Sequence, residues 1–209
     1  TKVSAWDAVN EPISGADRDG DGYYELESKA WVTSDKFYWQ DYLGSEDYIR
    51  IVIDRARKYY AEYGGTKPLR LFINDYNLES DWDDNRKLKS LIHWIQVWES
   101  DGVTKIDGIG TQMHLSYYEN QGIQKSKEEH IVKMFQLMAN TGKLVKISEL
   151  DMGYVNMNGD TVPTTGMSDS MHRAMADYYN FIVRKYFEII PPAQQYGINK
   201  KDIIFDTLA

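Results

Sequence analysis

The stretch Leu69-Arg70-Leu71-Phe72-Ile73-Asn74-Asp75-Tyr76-Asn77 runs from apolar residues straight into polar ones. Its apolar part, residues 69–73, is too short for a helix and rich in branched and aromatic side chains, so it predicts a buried strand. Three further runs share the form, at residues 3–9, 106–113 and 144–150. A helical pattern follows each. Ser45-Glu46-Asp47 opens the first clear helix, with Ser45 as a cap and acids in its first turn. Ile49, Val52, Ile53, Ala56 and Tyr60 form its stripe, and Gly64-Gly65 stops it. Asp83 or Asp84 opens the second, with Leu88, Leu91, Ile92, Ile95 and Trp98 on one face and Gly102 as its stop. Ser126 with Glu129 reads as a capping box ahead of Ile131, Met134, Phe135 and Met138. A last helix is expected over residues 169–190, ended by Pro191-Pro192.

Strand alternating with helix implies an α/β chain with parallel strands covered by helices. Four βα units in 209 residues fit a doubly wound sheet. They fit half of a (β/α)₈ barrel equally well, since a whole barrel needs about 250 residues. No repeat or flexible linker divides the chain, so residues 1–209 read as one domain portion.

Composition narrows the function. Hydrophobic residues are 42% and charged residues 27%, the balance of a soluble globular chain. No run approaches 18 apolar residues, which excludes a membrane-spanning helix. The opening Thr1-Lys2-Val3-Ser4-Ala5-Trp6 does not read as a signal peptide, as in a mature secreted product or an excised piece. The net charge of −8 argues against nucleic-acid binding, which needs a basic face. With no cysteine there is no disulfide, Cys-based zinc site or thiol nucleophile. Gly108-Ile109-Gly110 begins like a dinucleotide fingerprint, but Met113 occupies its sixth position and the glycines lie inside a strand, so a nucleotide site is rejected.

In βα proteins ligand sites gather at the carboxyl ends of strands. Here those ends read Asn10-Glu11-Pro12, Asn74-Asp75-Tyr76-Asn77, Gln112-Met113-His114 and Glu149-Leu150-Asp151. One or two polar ends would pass as turns or caps; four on one rim point to function. Glu11 and Glu149 stand on different strands facing that mouth. Paired carboxylates are the minimum machinery of glycoside hydrolysis, one protonating the leaving oxygen and the other attacking or activating water. The 6 Trp, 16 Tyr and 6 Phe residues serve as core packing or as platforms for sugar rings, Trp31, Trp39 and Trp82 falling in or near loops.

Trp6-Asp7-Ala8-Val9-Asn10-Glu11-Pro12 resembles the acid/base strand of family 10 glycoside hydrolases, the endo-β-1,4-xylanases. Residues 71–79 look like that family's fifth strand, residues 106–114 its sixth, and Ile147-Ser148-Glu149-Leu150-Asp151 its nucleophile strand. The four motifs keep the family's order and spacing. Residues 37–44 and 191–198 look like the Bacteroidetes-type branch. The resemblance implies a partial TIM (β/α)₈ barrel, about strands 4 to 7 with their helices, either a fragment or completed by another segment. It implies a retaining double displacement with Glu11 as general acid/base and Glu149 as nucleophile. Asn10 would hold the 2-hydroxyl of the sugar at the cleavage point, with Gln112 near the same sugar. His114 would bond Glu149 and be oriented by Asp151, and Tyr76 and Asn77 would line the leaving-group side. The substrate implied is xylan or xylo-oligosaccharide, and the setting is secreted or cell-surface, since a polymer must be cut outside the cell.

The chain departs from the family pattern at both ends. The first three strands are missing, so the amino-terminal half of the barrel is an expected partner. The eighth strand is in doubt, because residues 199–209 contain no Trp, and residues 203–205 read as a short strand or a non-native tail. A non-catalytic xylan-binding or assembly fragment, and a retaining β-1,4-glucanase, stay open as alternatives. The chemistry needs no cofactor. Asp17, Asp19 and Asp21 with Gly22 match the first half of a calcium loop, but position 12 is Ser28, not Glu. A structural calcium ion and a plain Asp/Gly turn both fit.

Overall fold

The computed structural model describes residues 3–31 and 35–197. The run at 203–205 lies outside the described residues. Packing divides the chain into two compact units, Thr1–Asp75 with Arg86–Gly110, and Tyr76–Asn85 with Thr111–Ala209.

The first unit holds strands β1 (Ala5–Asn10) and β2 (Arg70–Asp75), with β3 (Gly108–Thr111) beginning beside β2. β1 and β2 are parallel, Ala5 opposite Arg70 and Trp6 opposite Leu71, and a bulge between Asp7 and Val9 shifts the register before Asn10 meets Asn74. Leu71, Phe72 and Ile73 are all fully buried, as both faces of a covered parallel strand must be. β1 buries only Val9. Three helices follow in this unit, the short α1 (Gln40–Leu43), α2 (Asp47–Glu62) and α3 (Arg86–Glu99). The expected stripes supply its core through Ile49, Ile53, Leu88, Leu91, Ile95 and Trp98. Ser45 does not cap α2: Glu46 takes the cap position without a side-chain bond. The Ser45 carbonyl instead accepts from Trp98 Nε1 at 3.1 Å, a tertiary contact that local pattern cannot foresee.

Just before β3, buried Asp107 gathers three donors on its carboxylate and donates one bond of its own. Its Oδ2 accepts from Arg57 at 2.8 Å and from the Leu71 N–H at 2.9 Å, its Oδ1 from Arg70 at 3.2 Å, and its own N–H bonds the Leu71 carbonyl at 2.9 Å.

The second unit holds β4 (His114–Tyr118), β5 (Leu144–Ile147), β6 (Asp151–Val155) and two long helices, α4 (Gln121–Asn140) and α5 (Asp169–Ile189). Two expected strands end early, and a second strand starts just beyond each. The 106–113 run ends as strand at Thr111, Met113 takes a left-handed φ of 58°, and β4 starts at His114. The 144–150 run ends at Ile147, and β6 starts at Asp151. β4 and β6 then pair with each other as a separate parallel sheet. The expected capping box is also corrected. α4 begins at Gln121, where Asn120 Oδ1 accepts the N–H groups of Gly122 and Ile123 at 3.0 and 3.3 Å, so Ser126 lies inside the helix. Two orphan donors satisfied by one amide oxygen outweigh a later Ser. Ile131, Met134, Phe135 and Met138 are fully buried as their spacing requires. α5 closes one residue short of the expected bound, before Pro191-Pro192. No described helix is long and apolar enough to cross a membrane.

Burial pushes the Asp107 carboxyl upward, but the Leu71 N–H and the Arg57 and Arg70 guanidinium groups outweigh it and hold the folded value below the usual carboxylate range. A depressed folded pKa stabilises above the unfolded value of about 3.9 and is lost as pH falls through the folded one. Asp107→Asn is therefore expected to cost about 1–3 kcal/mol at pH 7. It should also flatten the acid limb of stability below about pH 4, both read from urea unfolding across pH.

Candidate active site

In the first unit the site is built where β1 leaves the sheet. Glu11 has a φ of 53°, a left-handed conformation that a non-glycine residue holds only under constraint. The constraint is visible. Its N–H donates to the Asn74 carbonyl at 2.7 Å, and two residues on, the Ile13 N–H donates to Asp75 Oδ2 at 3.1 Å. Asp75 Oδ1 meets Lys87 Nζ at 2.7 Å, with both side chains buried. Asn74 Nδ2 donates to Asn10 Oδ1 at 3.0 Å, which leaves Asn10 Nδ2 to donate to Glu11 Oε1 at 3.2 Å. Asn10 and Glu11 are exposed, while Asn74 and Asp75 beneath them are not.

In the second unit His114 bridges two carboxylates. The parallel register sets His114 directly opposite Asp151. Its Nδ1 lies 2.9 Å from Asp151 Oδ2 and its Nε2 lies 3.2 Å from Glu149 Oε2. Partial burial pulls the imidazole pKa down, but Asp151 and then Glu149 outweigh it, so His114 holds its proton above the usual range. A protonated ring donates to both acids and fixes the Glu149 carboxylate in place. Gln112 is buried at the end of β3, and Tyr76 and Asn77 are half-buried. Asn77 repeats the left-handed backbone of Glu11 and Met113, with a φ of 57°.

The aspartate loop forms as a turn. Asp17, Asp19 and Asp21 each present an oxygen within 4.8 Å of the others. The three carboxylates accept loop N–H groups, Asp17 from Gly20 and Gly22, Asp19 from Asp21, and Asp21 from Tyr23. Glu25 closes the loop by accepting from the N–H groups of Arg18 and Asp19 at 2.6 and 3.0 Å. Sequence reading missed Lys87, a lysine in an amphipathic helix whose burial depends on a distant strand end. It also missed the role of Glu25.

A sequence profile of glycosyl hydrolase family 10 matches residues 1–195. The chain belongs to that family. It is 29% identical to endo-1,4-beta-xylanase A of Cellvibrio japonicus over 94% of this chain and 30% of that protein. It is 26% identical to endo-1,4-beta-xylanase A of Caldicellulosiruptor saccharolyticus over 95% of this chain and 50% of that protein. A solved family 10 structure from Paenibacillus barcinonensis superposes with a TM-score of 0.69 at 26% identity, covering 94% of this chain and 50% of that one. The chain thus spans half or less of these family 10 relatives, and its fold is part of the α/β barrel.

His114 tests the bridge. A raised folded pKa stabilises fully below the unfolded value of about 6.5 and is lost as pH rises through the folded one. Imidazole proton shifts followed by NMR are expected to titrate above the unfolded range in the wild type. The midpoint should fall in Asp151→Asn, which loses the charge that contributes most to the rise.

Proposed function

We propose that this chain carries the acid/base and nucleophile strands of a retaining endo-β-1,4-xylanase. The observation that supports it best is the His114 bridge between Glu149 and Asp151, set by strand register within a family 10 chain. In this reading Glu11 donates its proton to the glycosidic oxygen as Glu149 attacks the anomeric carbon, giving a glycosyl ester and a free leaving chain. Glu11, now a carboxylate, takes a proton from water as that water displaces Glu149. Asn10 bonds the 2-hydroxyl, a contact that strengthens in the oxocarbenium-like transition state. Gln112 sits near the same sugar, Tyr76 and Asn77 line the leaving side, and His114 with Asp151 positions the nucleophile. Two carboxylates suffice for both steps, so no cofactor is invoked. Xylan is too large to enter a cell, which makes the setting secreted or cell-surface.

The amino-terminal half of the barrel is the proposed partner. An apolar groove of about 480 Å³ lies along β1 and α2, lined by Trp6, Val52, Tyr59, Tyr63 and Leu69. Trp6 and Tyr63 are 62% and 81% exposed, a large apolar surface to leave in water. The other βα units of a family 10 barrel would cover it and continue the sheet past β1.

Reducing-sugar release from xylan by the chain, alone and co-expressed with the amino-terminal half of a family 10 barrel, tests the reading. Glu149→Ala should lower release by roughly 10⁴-fold or more, the scale of removing a nucleophile. Unchanged turnover, or cellulose cut faster than xylan, would sink it. Glu11→Ala should lose about 10²–10⁴-fold on xylan. It should lose far less on aryl xylosides, whose leaving groups need little protonation. Trp6→Asp should keep the circular dichroism of the chain yet lose complementation; complementation at wild-type level would rule out the groove as the docking face.

A further inference from the structure

In the second unit a loop, residues 78–85, follows Tyr76 and Asn77 directly, and its backbone is strained at both ends. Asn77, Asp84 and Asn85 hold φ values of 57°, 58° and 58°. Non-glycine residues keep such left-handed conformations only where their neighbours over-determine them. Asn85, fully buried, supplies the constraint. Its N–H donates to the Ser80 carbonyl at 2.8 Å. Its Nδ2 donates to the Leu78 carbonyl at 2.9 Å and to the His130 carbonyl of α4 at 3.2 Å. One amide nitrogen thus closes the loop on itself and staples it to the neighbouring helix, one proton for each carbonyl. Asn suits the place because its short polar side chain tolerates left-handed backbone. From the same helix Lys127 reaches Asp81 at 2.6 Å, and Lys133 meets Asp84 in an exposed pair that adds little beside a buried amide.

The clamp holds the apex of the loop. Trp82 is 65% exposed, so packing around its ring does little to fix it. With Asn77 it walls a polar recess of about 140 Å³ shared with His114, Ser116 and Tyr178. We propose that Asn85 is a positioning residue for the leaving-group side of the site, fixing Asn77 and Trp82 against the His114 recess through the loop it clamps. The inference rests on the xylanase reading. Asn85 acts without touching substrate: it removes the freedom of the loop beforehand, so the arriving sugar chain does not have to order it.

Hydrogen exchange on the wild-type chain is the first test. The Asn85 amide proton is expected to exchange as slowly as those in the middle of α4; exchange at the rate of an open loop overturns the clamp. Asn85→Gly keeps the left-handed backbone and removes both side-chain donors. In chain labelled with 5-fluorotryptophan, the fluorine signal of Trp82, identified from Trp82→Phe, should move in Asn85→Gly while that of buried Trp98 stays. An unmoved Trp82 signal overturns the proposal. Asp84→Gly, which removes only the exposed ion pair, should leave Trp82 in place; an equal displacement there assigns the clamp to the ion pair and overturns the role of the amide. The functional arm uses the chain co-expressed with the amino-terminal half of a family 10 barrel. Asn85→Gly should raise KM for xylohexaose about tenfold, the size of one lost hydrogen bond, and keep kcat and KM for an aryl xylobioside within about twofold. The phenol of that substrate places no sugar on the leaving side. Equal losses on both substrates mark a purely structural role and overturn the assignment, as does no loss on either. A wild-type barrel that cuts neither substrate is a failure of the xylanase reading itself, seen before any variant is compared, and takes this inference with it.

Discussion

A carboxylate with no access to water, Asp75, sets the order of the first unit. One of its oxygens meets Lys87 Nζ, and the other accepts the Ile13 N–H. The end of β2, the segment that follows β1 and the start of α3 are therefore tied at one point. Removing either charge would leave the other buried and uncompensated, at a cost of about 3–5 kcal/mol. That tie holds the exit from β1 in a shape the chain would not otherwise choose. Glu11 sits in left-handed backbone just before the tethered Ile13, and such strain, about 1–3 kcal/mol per residue, persists only where neighbours over-determine it. The buried pair is structural, and its product is the placement of an exposed glutamate.

The second unit solves the same problem with register. β4 and β6 start where two earlier strands stop, and their pairing puts His114 opposite Asp151. Left-handed backbone at Met113 turns the chain between the buried Gln112 and the exposed His114. The charged groups come out on the rim while the residues that direct them stay inside. In both units polar groups at strand ends are held by hydrogen bonds that leave Glu11, His114 and Glu149 exposed.

Much of this was legible in the residues. The stripes of α3 and α4 repeat every three or four positions, so their buried faces follow from spacing alone. Apolar runs that end in polar groups marked where β1 and β2 stop. Other features were not legible because they depend on contacts remote in sequence. Ser45 looks like a cap, but its carbonyl is taken by Trp98, more than fifty residues away. Ser126 and Glu129 form a capping box on paper, yet Asn120 starts the helix earlier. The breaks at Met113 and Ser148 were invisible, because a run of apolar letters does not show where pairing changes partner.

The sequence by itself determined the βα alternation, the buried helix faces and the two glutamates with their Asn, Gln and His neighbours. These rest on local periodicity and on motifs that occupy consecutive positions. Only the tertiary structure decided that Lys87 is buried against Asp75, that Asp107 gathers two arginines, and that Tyr178 lines a pocket with Trp82 and Ser116. A hydrogen bond or charge pair is settled by distance in space, and residues dozens of positions apart acquire that distance only when the strands find their register.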